Sequence, residues 1–400
     1  MSHTRKRTTR TEAPMDRDPI SGDHLGGRPV AVRFGRWLVG STTYLGALVA
    51  IGGLLTVLAY AVGGTGVASN AGTLLNDGPL TQADSWAALT LQTGTSALLL
   101  LTPVVGGYVA YGIAGRQGIL PGAISGVVAM VSIGGVLGGI LSGVLAGTTT
   151  VLLQRATGRL PQRDAVTMAL VPALATAVTA AVIFEFIGPR VSSLVDALHD
   201  ALPPLTWGNA AVLGLVLGLM VGSDPSGTIS KAAIAFAATG IQVAPNSLNF
   251  KIMATVMAAG MVPPLALSLA TLVRGRLFTP TERSYGKVSW LFGAAFIPEG
   301  AAPFALADPL RVLPATLAGS AVTGTLTMTF GSKMTDSIGG VFAIGKLSSP
   351  LLFAAAVAAG VLVTTGAVIA LKSLRRAVPA KTNARAASSR HATEPEAAIA

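Results

Sequence analysis

Long apolar runs alternate with short polar interruptions along this chain, and the run lengths set the first reading. "TTYLGALVAIGGLLTVLAYAVGG" (42–64) and "LLFAAAVAAGVLVTTGAVIAL" (351–371) contain no charged residue. Such runs meet the roughly 20 residues that a helix needs to cross a 30 Å hydrocarbon core. Others predict crossings near 38–63, 86–112 and 165–187, an even number of passes within the glycine-rich 119–153, and spans at 208–222, 252–273, 313–330 and 350–371. A shorter apolar piece lies at 229–243, a glycine-containing break at 331–349, and 288–310 is apolar but interrupted by prolines. In "GPRVSSLVDALHDALPPL" (188–205), Leu194, Val195, Leu198 and Leu202 share one helical face. That spacing predicts a short amphipathic helix in the membrane interface, with His199 on its polar face.

Composition agrees with the run lengths. The 400 residues are 51% hydrophobic and 11% charged, with a mean hydropathy of +0.64, whereas soluble domains are about a quarter charged. The expected fold is an all-α polytopic membrane protein of roughly 8–10 transmembrane helices. Small residues such as those in "GGVLGGILSGVLAG" (134–147) let helix backbones approach closely in lipid.

The net charge of +11 gathers in the N-terminal tail (1–36), in 154–163, in 274–287 and from Lys372 onward, whereas 64–85 holds Asp77 and Asp84 and no basic residue. By the positive-inside rule both termini are cytoplasmic, in a multi-pass protein of the plasma membrane. The tails 1–36 and 373–400 read as disordered. They suit anionic lipid headgroups rather than nucleic acid, and no cleavable signal peptide is expected. Cysteine is absent and the four histidines are scattered, so no disulfide, metal site or cofactor is expected.

A charge at the bilayer centre costs on the order of 2.5–3.5 kcal/mol, which singles out two clusters. "GSDPSGTISKAA" (222–233) puts Asp224 in a Pro/Ser/Gly break and Lys231 at the start of the next apolar segment. "FIPEGAAPFALADPLRV" (296–312) sets Glu299, Gly300, Asp308 and Arg311 among Pro298, Pro303 and Pro309. Unwound backbone at membrane depth must be buried in protein or line an aqueous path, and paired interruptions of this kind mark substrate sites in transporters. Carboxylates accept hydrogen bonds from paired hydroxyls, so a hydroxyl-rich solute such as a sugar fits.

The stretch "PEGAAPFALADPLRVLPATLAGSAVTGTLTM" (298–328) resembles the signature of the fructose-family membrane component, the IIC subunit, of the bacterial phosphoenolpyruvate-dependent sugar phosphotransferase system. "TPVVGGYVAYGIAGRQGILPG" (102–122), "DPSGTISKAAIAF" (224–236) and "MAAGMVPPLALSLAT" (257–271) agree in the same order. The resemblance implies a IIC permease that binds a sugar outside and presents it to a cytoplasmic IIB domain for phosphorylation. It implies a homodimer, with a dimerisation half at 37–206 and a transport half at 207–372 containing re-entrant hairpins near 222–245 and 288–310. Glu299 then takes the place of the sugar-contacting glutamate, with Asp224, Lys231 and Pro303 as further substrate-site residues. Gly300, Asp308 and Arg311 belong to the structure of the path, the last two pairing with each other or capping helices. Three departures bear on specificity and coupling: Ile338 stands where a histidine is usual, Pro298 replaces a small polar residue, and Thr228 and Ser230 replace Pro and Asn. With no cysteine for a IIB domain, phosphate is expected from separate IIA and IIB proteins, and no residue of this chain serves as the phosphorylated one. The alternatives are a phosphorylation-independent sugar or polyol transporter and a non-transporting membrane sensor of the same fold.

Overall fold

The computed structural model describes residues 30–76, 78–79, 81–157, 169–206 and 208–374, with side chains described from Leu45 onward, His199 excepted. Asp77, most of the basic segment 154–163 and nearly all of both tails lie outside the described residues, so the expectations placed on them rest on sequence. Among the described residues all regular structure is helical, apart from two isolated backbone bridges. Six helical stretches are long and apolar enough to cross a membrane: Leu45–Gly63, Ala83–Ser132, Gly135–Thr157, Val171–Thr206, Ser247–Val273 and Pro350–Leu374. The chain is an all-α polytopic membrane protein. Ala210–Ser223 and Thr228–Val243 are apolar but shorter.

Helix α1 (Val30–Gly63) is followed by α2 (Gly66–Asn76), α3 (Ala83–Leu99) and α4 (Leu101–Ala114). The span expected at 86–112 is therefore two helices, broken at Leu100. Pro103 supplies the reason, since it has no N–H for the carbonyl four residues back and its ring crowds that carbonyl. Next come α5 (Ile119–Ser132) and α6 (Gly135–Thr157), separated by Gly134, whose φ of +67° only glycine adopts readily. A Cβ on Gly122 would stand 2.4 Å from the Gly106 carbonyl oxygen, and one on Gly143 would stand 2.6 Å from the same oxygen. Glycines thus bring α4, α5 and α6 into backbone contact.

Helix α7 (Val171–Val182) continues through a π-turn, Ile183–Ile187, into α8 (Gly188–Thr206). The helix expected at 188–206 is present as α8, with the same bounds, and it follows α7 without a loop. That stretch extends a longer helix, and Leu198, Leu202 and Leu205 pack into a core cluster with α9 (Ala210–Ser223) and α10 (Thr228–Val243). Helix α11 (Ser247–Val273) is the most enclosed, with Met253, Ala254 and Val256 to Ala259 fully buried. Pro263 cannot donate to the Ala259 carbonyl, and the Ser320 hydroxyl donates to it instead, at 3.0 Å.

The remaining helices are α12 (Pro280–Ala294), α13 (Ala302–Ala307), α14 (Pro309–Phe330) and α15 (Pro350–Leu374). Half of the segment expected as a basic loop, 274–287, is the first two turns of α12. A capping box begins it: the Glu282 N–H donates to Thr279 Oγ1 at 3.2 Å, and the Thr279 N–H donates to Glu282 Oε2 at 2.7 Å. Lys372, taken as the first residue of a basic tail, instead lies buried in α15 and pairs with Glu282 at 3.0 Å. Its ammonium also sits 4.2 Å from the Phe278 ring centroid. One core cluster joins Leu45, Val49 and Leu101 to Phe292, Phe304 and Val312, so the two sequence halves share a core.

Candidate functional site

The two clusters of charge meet across unwound backbone. Between α9 and α10, Asp224 to Gly227 leave the helix, and the freed Gly222 carbonyl accepts a hydrogen bond from Thr316 Oγ1 at 2.8 Å. A Cβ on Gly227 would lie 1.2 Å from Asp224 Oδ2. The carboxylate therefore occupies the space a side chain at 227 would need. The same turn touches the α5–α6 break. Gly134 and Gly227 form a backbone bridge, the Val136 N–H donates to Ser226 Oγ at 3.2 Å, and Thr102 Oγ1 donates to the Gly135 carbonyl at 3.1 Å.

The second break lies between α12 and α14. Phe296 takes a left-handed φ of +60°, a conformation that stores strain in a non-glycine residue. Its ring fills the space over Gly260, where a Cβ would come within 2.5 Å of it. The 3-10 turn Pro298–Ala301 follows, and the Gly300 carbonyl accepts from Tyr285 Oη at 3.0 Å and Ser289 Oγ at 3.2 Å. A Cβ on Gly300 would stand 2.8 Å from Phe292 Cβ, and one on Gly340 would stand 2.1 Å from the Ala294 carbonyl oxygen. Glu299 is thus carried on a turn clamped from three sides.

Lys231 and Glu299 line one cavity of about 250 Å³, close to the lower end of the roughly 300–1,000 Å³ usual for small-molecule sites. Its remaining polar wall comes from Thr56 and Tyr60 of α1, Thr95 of α3, Thr102 of α4 and Ser226. Leu98, Leu101, Met130, Phe296 and Ile297 complete it with apolar surface. Asp224 is buried in the same break, two residues from Ser226 of the cavity wall, and does not itself line the cavity. The site can accept hydrogen bonds through a carboxylate and donate them through an ammonium, and of its five hydroxyls those of Thr56, Thr95 and Thr102 already donate to backbone carbonyls and are left to accept.

Of the residues singled out from the sequence, Lys231 and Glu299 line the same cavity. Gly300 and Pro303 are buried in the supporting turn and in α13, off the cavity wall. Asp308 and Arg311 are also off it. Arg311 Nη1 reaches both Asp308 oxygens at 2.9 Å, and its Nε donates to the Leu371 carbonyl at 3.1 Å, tying α14 to α15. Sequence reasoning missed Thr56, Tyr60, Thr95 and Thr102 from the first half. Pro103 within an apolar run was the available signal for the bend that exposes Thr102.

No family model matches the chain, and no solved structure matches it. Three relatives do. The PTS system fructose-specific EIIB'BC component of Rhodobacter capsulatus is 38% identical over 370 residues, which cover 91% of this chain and 61% of that protein. The fructose permease IIC component of Bacillus amyloliquefaciens is 37% identical over 280 residues, 70% of this chain and 90% of that one. The PTS system fructose-specific EIIC component of Haloferax volcanii is 32% identical over 353 residues, covering 84% and 91%. Relatives named as EIIB'BC or EIIABC components are longer, and the chain spans 61%, 43% and 58% of three of them.

Proposed function

Because this chain belongs to the fructose-specific IIC family of the phosphotransferase system, we propose that it carries a fructose-like sugar across the plasma membrane for phosphorylation by separate IIA and IIB proteins. One observation carries the reading: a carboxylate, an ammonium and five hydroxyls face one small cavity formed at two helix breaks. Glu299 accepts hydrogen bonds from neighbouring sugar hydroxyls, and Lys231 donates to a hydroxyl oxygen. Phe296 and Ile297 lie against the C–H face of the ring. Asp224 fixes the turn that leads to Ser226 and Lys231. Leaving either charge unmatched in a water-poor cavity is costly, and a sugar lacking the matching hydroxyl is rejected for that reason.

The breaks at Asp224–Gly227 and 295–301 act as tips of re-entrant hairpins near 222–245 and 288–310. The shortness of α9 and α10 supports this, since 14 and 16 residues span roughly 21–24 Å at 1.5 Å per residue, less than the roughly 30 Å core. Family membership supports a homodimer, with 37–206 as the dimerising half, although that half also supplies Thr56, Tyr60, Thr95 and Thr102 to the cavity. The positive-inside distribution supports cytoplasmic termini.

A second reading, transport of unmodified sugar without phosphorylation, and a third, a non-transporting membrane sensor, both gain from one residue. Ile338, at the position where the family resemblance implies histidine, packs against an apolar core cluster and cannot exchange protons. Uptake of labelled fructose and mannitol by cells with and without a working phosphotransferase relay tests all three. Accumulation of sugar phosphate only with the relay is expected. Free sugar accumulating without the relay replaces the first reading with the second, and no uptake in either strain removes both and leaves the third.

A further inference from the structure

A second cavity, of about 500 Å³, lies between the end of α11 and the start of α12. It is lined by Val273, Arg274, Gly275, Arg276, Leu277 and Arg283, none of which lines the sugar cavity. Three arginines line this concavity, and all three are exposed. Among the described residues the ion pairs are Asp308–Arg311, Asp336–Lys346 and Glu282–Lys372, so none of the three arginines has an acidic partner. The nearest acid in sequence, Glu282, is turned inward: it accepts from the buried Lys372 at 3.0 Å and from the Thr279 N–H at 2.7 Å. Among the described residues the positive charge of the pocket is therefore left without an ion-pair partner.

Gly275 contributes room. A Cβ there would stand 3.2 Å from Arg283 Cδ, so the Arg283 stem crosses the turn at the position a side chain would crowd. That crossing brings Arg283, from α12, to the same concavity as Arg274 and Arg276, from the turn. Planar guanidinium forks match the tetrahedral oxygens of phosphate in pairs, and convergent like charges within one concavity focus the field on an anion. The exposed Val273, on the rim, adds apolar surface beside the charges.

We propose that the Arg274–Arg276–Arg283 pocket binds a phosphate-bearing anion, supplied as a soluble phosphate ester or as the headgroup of an anionic phospholipid. The inference does not depend on the sugar reading of the first cavity. The test uses the full chain purified in detergent and stripped of lipid. In one arm it is titrated by calorimetry with inorganic phosphate and with fructose 1-phosphate. In the other it is placed in nanodiscs of phosphatidylglycerol or of phosphatidylcholine, and retained lipid is read by native mass spectrometry. Saturable phosphate or ester binding identifies a soluble source, and selective retention of phosphatidylglycerol identifies a lipid one. In either arm R276Q/R283Q weakens binding about tenfold or more, while fructose binding and the melting temperature stay at wild-type values. R276K/R283K keeps the charge and loses the paired geometry, so it falls between the two and serves as the readout should the glutamine variant fail to fold. The proposal is overturned if the wild-type chain shows neither response, or if these variants bind like the wild type.

Discussion

At the scale of single residues, the cavity rests on groups with little freedom to move. Replacing Glu299 with Gln keeps the shape and removes the charge that accepts sugar hydroxyls, so E299Q is expected to abolish fructose binding while melting temperature and expression hold. Undiminished affinity in that variant would exclude Glu299 as the sugar contact. Gly227 is constrained differently, because Asp224 Oδ2 already fills the Cβ position, 1.2 Å away. G227A must push the carboxylate off its place in the break, at an overpacking cost of about 1–3 kcal/mol. The expected result is an inserted, folded protein with at least about tenfold weaker sugar binding, one decade corresponding to roughly 1.4 kcal/mol; wild-type affinity would show that Asp224 does not set the site. Glu299 and Lys231 are legible in the sequence because charge is rare there. Thr56 and Thr95 are not, since their hydroxyls also donate to the Gly52 and Leu91 carbonyls four residues back, as threonines in any lipid-embedded helix do.

Between elements, the buried ion pair Glu282–Lys372 fastens the first turn of α12 to the last turn of α15. Removing one partner leaves the other charged and unmatched, so K372M is expected to destabilise the protein by about 3–5 kcal/mol. The double variant E282L/K372M replaces both charges with apolar groups and should recover most of that loss. Thermal melts of the two variants in one detergent measure the difference, and equal melting temperatures for K372M and wild type would mean the pair contributes nothing. T279A removes the hydroxyl of the capping box and should cost about 1 kcal/mol on the same scale. The helix breaks divide along similar lines. Proline and glycine announced those at Asp224–Gly227 and 295–301, and the T-P-T-E string at 279–282 carries a capping signal inside what charge alone assigned to a loop. The continuity of α7 into α8 carried no such announcement. The amphipathic spacing marked a helix at 188–206, and only the structure shows it joined to α7, with Leu198 and Leu202 of the expected apolar face packed against α9 and α10.

For the whole molecule, the proposed topology, with both tails in the cytoplasm, rests on the distribution of basic residues. Cysteines placed at Ser2 and Ser389 should react with a membrane-impermeant maleimide only after cells are opened, the natural chain having no cysteine to compete. Labelling of either position in intact cells would reverse the topology. The cavity is a property of this larger arrangement. Its walls come from α1, α3 and α4 as well as from the two breaks in the second half, and the hydrogen bonds from Thr102 to Gly135 and from Val136 to Ser226 bring the halves to one point.

The amino-acid sequence by itself determined that this chain is helical and membrane-embedded, and that Asp224, Lys231 and Glu299 interrupt the apolar half. Lipid leaves a backbone no other way to satisfy its hydrogen bonds, and it makes each buried charge conspicuous. Tertiary structure alone decided which charges share a cavity and that Glu282 and Lys372, distant in sequence, neutralise each other at a helix contact, whereas the Asp308–Arg311 pair, three residues apart, was legible beforehand. Those outcomes depend on helix contacts so close that a Cβ added at Gly214 or Gly218 would stand 2.3 or 2.2 Å from a backbone oxygen of α14, and periodicity along one helix contains no information about its neighbour.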